Sequence, residues 1–96
     1  MTFCTLVEFE WDEAFGRERF TSAVGDVGGD TPQGLLSRIV GIDDKGARVI
    51  EVWRSGDDAQ AFAEESRPFL AVAQMPAPSR VTGFEVTSYT VSDPPG

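Results

Sequence analysis

The sequence contains no histidine and no asparagine, and only one cysteine and one tyrosine among its 96 residues. Without histidine, the usual acid–base group near neutral pH and the usual nitrogen ligand of transition metals are both missing. A lone Cys4 can close no intramolecular disulfide and no cysteine–histidine zinc site, so no metal is expected, and the reducing cytoplasm is the expected setting. Positive charge is scarce too. Eight basic residues stand against sixteen acidic ones, a net charge of −8. That balance repels phosphate backbones and anionic headgroups and argues against nucleic acid and membrane partners. No apolar run approaches the ~18 residues of a membrane span. Glu8, Glu10, Asp12 and Glu13 stand where a secretory signal would carry positive charge. A chain of this length is expected to form one domain over residues 1–96, burying about 60–65% of its unfolded surface.

What is present is periodic. From Thr2 to Trp11 the chain alternates, with Phe3, Thr5, Val7, Phe9 and Trp11 on one face and Cys4, Leu6, Glu8 and Glu10 on the other, which predicts a strand. Phe20, Ala23, Val24 and Val27 then share a helical stripe that Phe15 does not join. The helix is therefore expected to begin with Gly16 as its N-cap, placing Phe15 and Phe20 as a hydrophobic staple, and to end in Gly28-Gly29. Gly28 to Gly34 is turn sequence leading into a strand over Leu35–Ile42. Asp43-Asp44-Lys45-Gly46 joins it to a second strand, Arg48–Trp53, with Gly46 expected to supply the left-handed residue of a short hairpin. Neither strand has a clean polar face: Leu36, Val40 and Ile42 oppose Leu35 and Ile39, and Val49 and Trp53 oppose Ile50 and Val52, so both surfaces need cover.

Ser55 followed by Asp58 reads as the capped start of a second helix. Its inward stripe is Ala59, Phe62, Ala63, Ser66, Phe69, Leu70 and Ala73, while Asp57, Gln60, Glu64 and Arg67 face away. Pro68 lies inside this pattern and predicts a kink or break near Ser66. Met75 to Ser79 is a stiff proline-containing linker, Arg80–Val91 alternates as a fourth strand, and Ser92–Gly96 is tail.

The order β-α-β-β-α-β predicts an α+β, ferredoxin-like fold: a four-stranded antiparallel sheet with two helices on one face. The uncovered face, rich in leucine, isoleucine and valine, would then be buried against a second copy, giving a homodimer. Gly34-Leu35-Leu36, Glu51-Val52-Trp53-Arg54-Ser55, Ala61-Phe62, Glu64-Glu65 and Arg67-Pro68 resemble the dimeric α/β-barrel family that includes the antibiotic biosynthesis monooxygenases, over about residues 3–91. These are packing and capping residues, so the resemblance speaks to fold more than to activity.

In that family the haem-opening members use a helix histidine, a first-strand asparagine and a second-helix tryptophan. Here Phe62 falls at the tryptophan position and Val72 near the histidine, and no asparagine exists, so the resemblance implies no haem. It implies instead the cofactor-free members, in which a deprotonated polyketide-like substrate itself supplies electrons to oxygen. The expected function is therefore a cofactor-independent monooxygenase, an oxidoreductase, or a binder of a small planar aromatic molecule; the alternative is a non-catalytic homodimeric binding or assembly module. No cofactor is expected, and no catalytic residue is assigned. The candidate ligand-binding residues are Trp53, Phe62, Phe69, Tyr89 and Arg38.

Each candidate also has a structural reading. Trp53 would anchor the following helix, Phe62 and Phe69 belong to a core stripe, and the Tyr89 hydroxyl would reach either a substrate or water. Arg38, Arg48, Glu8 and Glu51 are expected as ion pairs at the dimer barrel, and Cys4 as a small buried hydrophobe. Asp43-Asp44 and Asp57-Asp58 read as turn and cap residues.

Overall fold

The first strand, β1 (Phe3–Glu10), is central: it pairs antiparallel with β3 (Gly46–Trp53) on one side and β4 (Arg80–Glu85) on the other. β2 (Leu35–Ile42) pairs antiparallel with β3, giving the sheet order β2-β3-β1-β4. Helices α1 (Arg17–Val27) and α2 (Gly56–Val72) complete the βαββαβ order of a ferredoxin-like fold. The structure, a computed structural model, describes residues 1–27, 31–72 and 75–90, apart from the side chains of residues 24–27 and 69. The places expected for Val24, Val27, Phe69 and Ala73 in the helix stripes, the Gly28-Gly29 helix end and the tail from Ser92 lie outside the described residues.

Both helices cover the face of the sheet that carries the odd-numbered residues of β1. Phe20 of α1 meets Phe9 at 5.8 Å between ring centroids, and Phe62 of α2 meets Trp53 at 5.3 Å. Gly16 caps α1, its carbonyl accepting the Phe20 amide at 3.1 Å, and Phe15 packs edge-on against Phe20 as the staple requires. Asp12 turns the chain into α1 by accepting the amides of Ala14 and Phe15 at 2.8 and 2.7 Å. Trp11 adds a further ring to this cluster and donates its indole N–H to the Asp43 carbonyl at 2.9 Å. This end of the molecule is a filled aromatic core, with Phe15, Phe20 and Ala47 almost wholly buried.

At the start of α2, the Ser55 hydroxyl accepts the Asp58 amide at 3.2 Å, as the capping pattern predicts. The expected kink or break near Ser66 is not a break, because α2 runs on through Pro68 to Val72. Pro68 lies in the last turns, where losing the bond to the Glu64 carbonyl interrupts little helix beyond it.

The hairpin expectation is corrected at Gly46. Among the described residues the left-handed glycine is Gly34, at φ +83°, and a Cβ there would collide with the Asp58 side chain. Gly46 is needed for closeness instead: it pairs with Glu10, and a Cβ would strike the Phe9 carbonyl oxygen. Asp43 makes the turn, its Oδ1 accepting the Lys45 and Gly46 amides at 2.9 and 3.0 Å while its own amide donates to the Gly46 carbonyl. The Arg48 guanidinium, bonded to Asp43 Oδ2 at 2.6 Å, and then these two amides hold the Asp43 carboxyl below its ordinary range.

The fourth strand ends at Glu85 and not at Val91. Glu85 pairs with Phe3, the first residue of β1, so beyond the Val86 amide, which still reaches the Thr2 carbonyl, no ladder remains to join.

Among the described residues, no helix lies over the opposite face of the sheet. Register aligns Ile39, Ile50, Leu6 and Thr82 in one row and Ser37, Val52, Cys4 and Phe84 in the next. Ile39 and Phe84 are 61% and 49% exposed, so an apolar band crosses the uncovered face.

Gly46→Ala is expected to destabilise the chain by about 1–3 kcal/mol, the usual cost of forcing atoms into a filled site, read as a lowered urea midpoint. Because the Asp43 carboxyl is held down in the folded state, its charge stabilises the fold at neutral pH. That contribution is complete above the unfolded value and is lost as pH falls from there through the folded one. The stability gap between the native chain and Asp43→Asn should therefore be full at pH 7 and close on acidification below the ordinary value of 3.8.

Candidate functional site

At the other end of the covered face α2 touches the sheet through Phe62 and Trp53 but does not fill the space above it. A cavity of about 690 Å³ lies between α2 and the strands, floored by Thr5, Val7, Val49, Glu51 and Trp53, roofed by Ala59, Phe62, Ala63 and Ser66, and closed at one end by Met75 to Pro78. Its walls are mainly apolar. The principal polar feature of the floor is a chain of contacts across three strands. Arg38 on β2 donates through Nε at 2.9 Å and Nη2 at 2.7 Å to one carboxylate oxygen, Oε2 of Glu51 on β3. Its guanidinium carbon also lies 5.5 Å from the centroid of the Phe62 ring, a cation–π contact. Phe62 lies against Trp53, whose indole N–H donates to the Thr5 hydroxyl at 3.3 Å, and Thr5 stands beside Glu51 in the β1–β3 register.

Glu51 is only 7% exposed, a rare degree of burial for a carboxylate, and the Arg38 fork compensates it. Its second oxygen, Oε1, accepts no hydrogen bond from the described residues. No sealed polar side-chain atom among them lacks a partner, so Oε1 is not sealed off, and Glu51 lines the cavity.

The pair depends on an irregularity in β2. From Ile42 back to Ser37 the strand follows one register, with Arg38 opposite Glu51, but Leu35 stands opposite Trp53, leaving Leu36 as a bulge. Extending the Leu35–Trp53 register without the extra residue would set Arg38 opposite Ile50, on the uncovered face. The bulge also removes Leu35 from the side of Ile39, where strict alternation placed it.

Of the residues singled out from sequence, Trp53, Phe62 and Arg38 lie together on the cavity wall. Tyr89 does not; it lies past the end of β4, is exposed, and is absent from the lining. The Phe69 side chain lies outside the described residues. The four charged strand residues all enter ion pairs, on two different faces of the sheet. Arg48 contacts Asp43 and, at 3.6 Å, Glu8, its neighbour in register on the uncovered face, whereas Arg38 and Glu51 turn to the helix side because the register there puts them in the row of Thr5. Cys4 is buried, and burial pushes its thiol up from the ordinary range, which keeps it protonated and unreactive. Thr5 went unnoticed in the sequence, although the alternation of β1 already placed it on the face of Phe3 and Val7.

Among the described residues, no helix is long and apolar enough to cross a membrane, and no three histidine, cysteine, aspartate or glutamate side chains gather to hold a metal ion. No protein-family model and no curated protein matches the sequence. Solved structures do match in shape. A protein named for antibiotic biosynthesis monooxygenases, from Chloroflexus aurantiacus J-10-fl, superposes with a TM-score of 0.75 at 13% identity, over 95% of this chain and 98% of that one. A dimeric ferredoxin-like protein of unknown function from Thermobifida fusca superposes with a TM-score of 0.68 at 16% identity, over 90% and 92%. SnoaB, a cofactor-independent oxygenase from Streptomyces nogalater, in a mutant form, gives 0.55 at 17% identity, over 92% and 93%. At these identities the likeness establishes the fold alone: the chain has a ferredoxin-like architecture.

Removing one partner of the ion pair leaves a charge in an apolar wall. Arg38→Met should cost about 1–3 kcal/mol in urea unfolding, and the double change Arg38→Met with Glu51→Leu should recover most of it, because no unpaired charge then remains. A double variant no more stable than the single one would show that the charge is not the cause.

Proposed function

We propose that the chain is a homodimeric binder of a small planar aromatic or polyketide-like molecule, held in the cavity between α2 and the sheet, and that it oxygenates this molecule without metal or cofactor. The observation that carries the reading is the cavity: about 690 Å³, walled mainly by Trp53, Phe62 and aliphatic side chains, with the Arg38–Glu51 pair and Arg67 as its charged members. That volume falls within the roughly 300–1,000 Å³ of small-molecule sites. The likeness to a cofactor-independent oxygenase supports the chemistry. A ligand with an acidic phenolic or benzylic proton becomes its own electron donor once that proton leaves, so the protein need only exclude water, hold the ring against Trp53 and Phe62, and let Arg38 stabilise the anion.

The homodimer follows from the apolar band on the uncovered face, which two copies facing each other would bury, with roughly 2,000 Å² or more covered in an obligate interface. A cytoplasmic setting accords with one buried, unpaired cysteine. A non-catalytic binding or assembly module is the second reading, favoured by a sequence without histidine or asparagine.

Light scattering on a sizing column should give the mass of a dimer at micromolar concentration; a monomer would remove the homodimer. Hydroxylated anthrones, quinones and flavonoids should quench Trp53 saturably in the native chain and not in Trp53→Phe, with Trp11 as the internal control, and oxygen uptake should follow without added flavin or metal. Binding without uptake leaves a binder, and no saturable binding across the panel favours the module.

A further inference from the structure

We infer that Arg67 gives the cavity a net positive charge and selects ligands that join a single acidic group to an apolar body, such as a flat aromatic carboxylate; this rests on the small-molecule reading of the cavity. Among the described residues, the charged members of the lining are Arg38, Glu51 and Arg67. Arg38 and Glu51 neutralise each other at 2.7 Å, whereas the Arg67 side chain has no ion-pair partner among the described residues. One positive charge is therefore left over in a wall that is otherwise mainly apolar, in a chain whose net charge is −8.

The helix explains how this charge reaches the cavity. The spacing of α2 sets Arg67 outside the stripe that faces the sheet, yet Arg67 lines the cavity. Ala63 and Ala71, one turn before and one turn after it, line the cavity as well, so one flank of α2 carries a row in which the arginine is the only long side chain. Arg67 is also exposed, which places it where the cavity meets solvent, the position in which an arginine lays its stem along an apolar wall and keeps its guanidinium in water. Glu64, its acidic neighbour three residues earlier on the helix surface, forms no ion pair with it, so a bound acid gains a partner without displacing one. An acid group carried deeper, to the floor, would meet the carboxylate of Glu51. The acid of the ligand therefore belongs at the border, with its rings inside against Trp53 and Phe62. The attraction is that of an exposed ion pair, strengthened by the apolar wall beside it. Arg67 is a specificity-determining residue in this reading.

Equilibrium dialysis of the native protein against anthracene-2-carboxylate, anthracene-2-carboxamide and 2-(aminomethyl)anthracene at neutral pH tests this, because the probes share one flat ring system and carry a negative charge, none and a positive charge. The carboxylate is expected to bind about three- to fivefold more tightly than the carboxamide, the upper range for an exposed ion pair, and the ammonium probe most weakly. The carboxylate's advantage should shrink as salt is raised. An acidic chain by itself favours the cation, so this order isolates the local charge from the overall one. In Arg67→Met and in Arg67→Gln, exposed changes to good helix formers, the advantage should vanish while the carboxamide binds as before. A carboxamide or ammonium probe bound as tightly as the carboxylate by the native chain overturns the charge selection and leaves the cavity a small-molecule site. An advantage that survives in both variants overturns the role of Arg67. Saturable binding of none of the three probes overturns the small-molecule reading itself, and the inference with it. The native comparison needs no variant, so a variant that failed to fold would still leave the test of charge decisive.

Discussion

A carboxylate withdrawn from water in the middle of a sheet has to find its counter-charge within a few ångströms, on a neighbouring strand and on the same face. Among the described residues, Glu51 meets that condition through Arg38, in the register that sets the two opposite each other. Much of the site follows from this. Arg38 in turn lies against Phe62, so the charge pair also adjoins the contact between helix and sheet, and Phe62 braces Trp53, the largest fully buried side chain in the chain. An error in hairpin register of one residue would therefore do more than turn apolar side chains outward; it would leave a carboxylate without a partner among hydrocarbon.

The two halves of the covered face are built from opposite materials. Toward the hairpin turn, Phe15 just before α1 and Phe20 within it meet Phe9 and Trp11, and rings of that size fill the space between helix and strands. Toward the start of α2 the inward positions are Ala59, Ala63 and Ser66, whose side chains reach only a short way from the helix. Phe62 bridges the gap at one point and Met75 to Pro78 close it at one end, and the remainder stays open. The hollow is thus a consequence of residue volume, and the solid half supplies burial to a chain that hollows out its other half.

Element order, caps and the staple were legible in the sequence because they rest on local rules. Ser55 caps α2 and Phe15 packs on Phe20 through contacts spanning a few residues, which spacing alone reveals. The misjudged features depend on partners distant in sequence. Strand β4 stops where β1 runs out of ladder, which nothing in Arg80–Val91 records. Gly46 is a glycine because the Phe9 carbonyl passes beside it, and only the fold brings those residues together. The small inward residues of α2 were visible, but the same stripe reads as tight packing or as the roof of a cavity until the height of the helix above the sheet is known. The ion pairs were expected among the right four residues, yet the face of Arg38 and Glu51 depended on pairing that sequence periodicity does not encode.

The bulge at Leu36 divides β2 into two lengths that answer to different neighbours. Upstream, Gly34 and Leu35 fit against Arg54, Asp58 and Trp53, at the junction where β3 becomes α2; downstream, Ser37 to Ile42 keep step with the hairpin and carry Arg38 to Glu51. One extra residue between them takes up the mismatch, as slack in a coupling does. A shift of the chain where it enters β2 is thereby absorbed at that junction, while the polar element of the cavity floor stays in place.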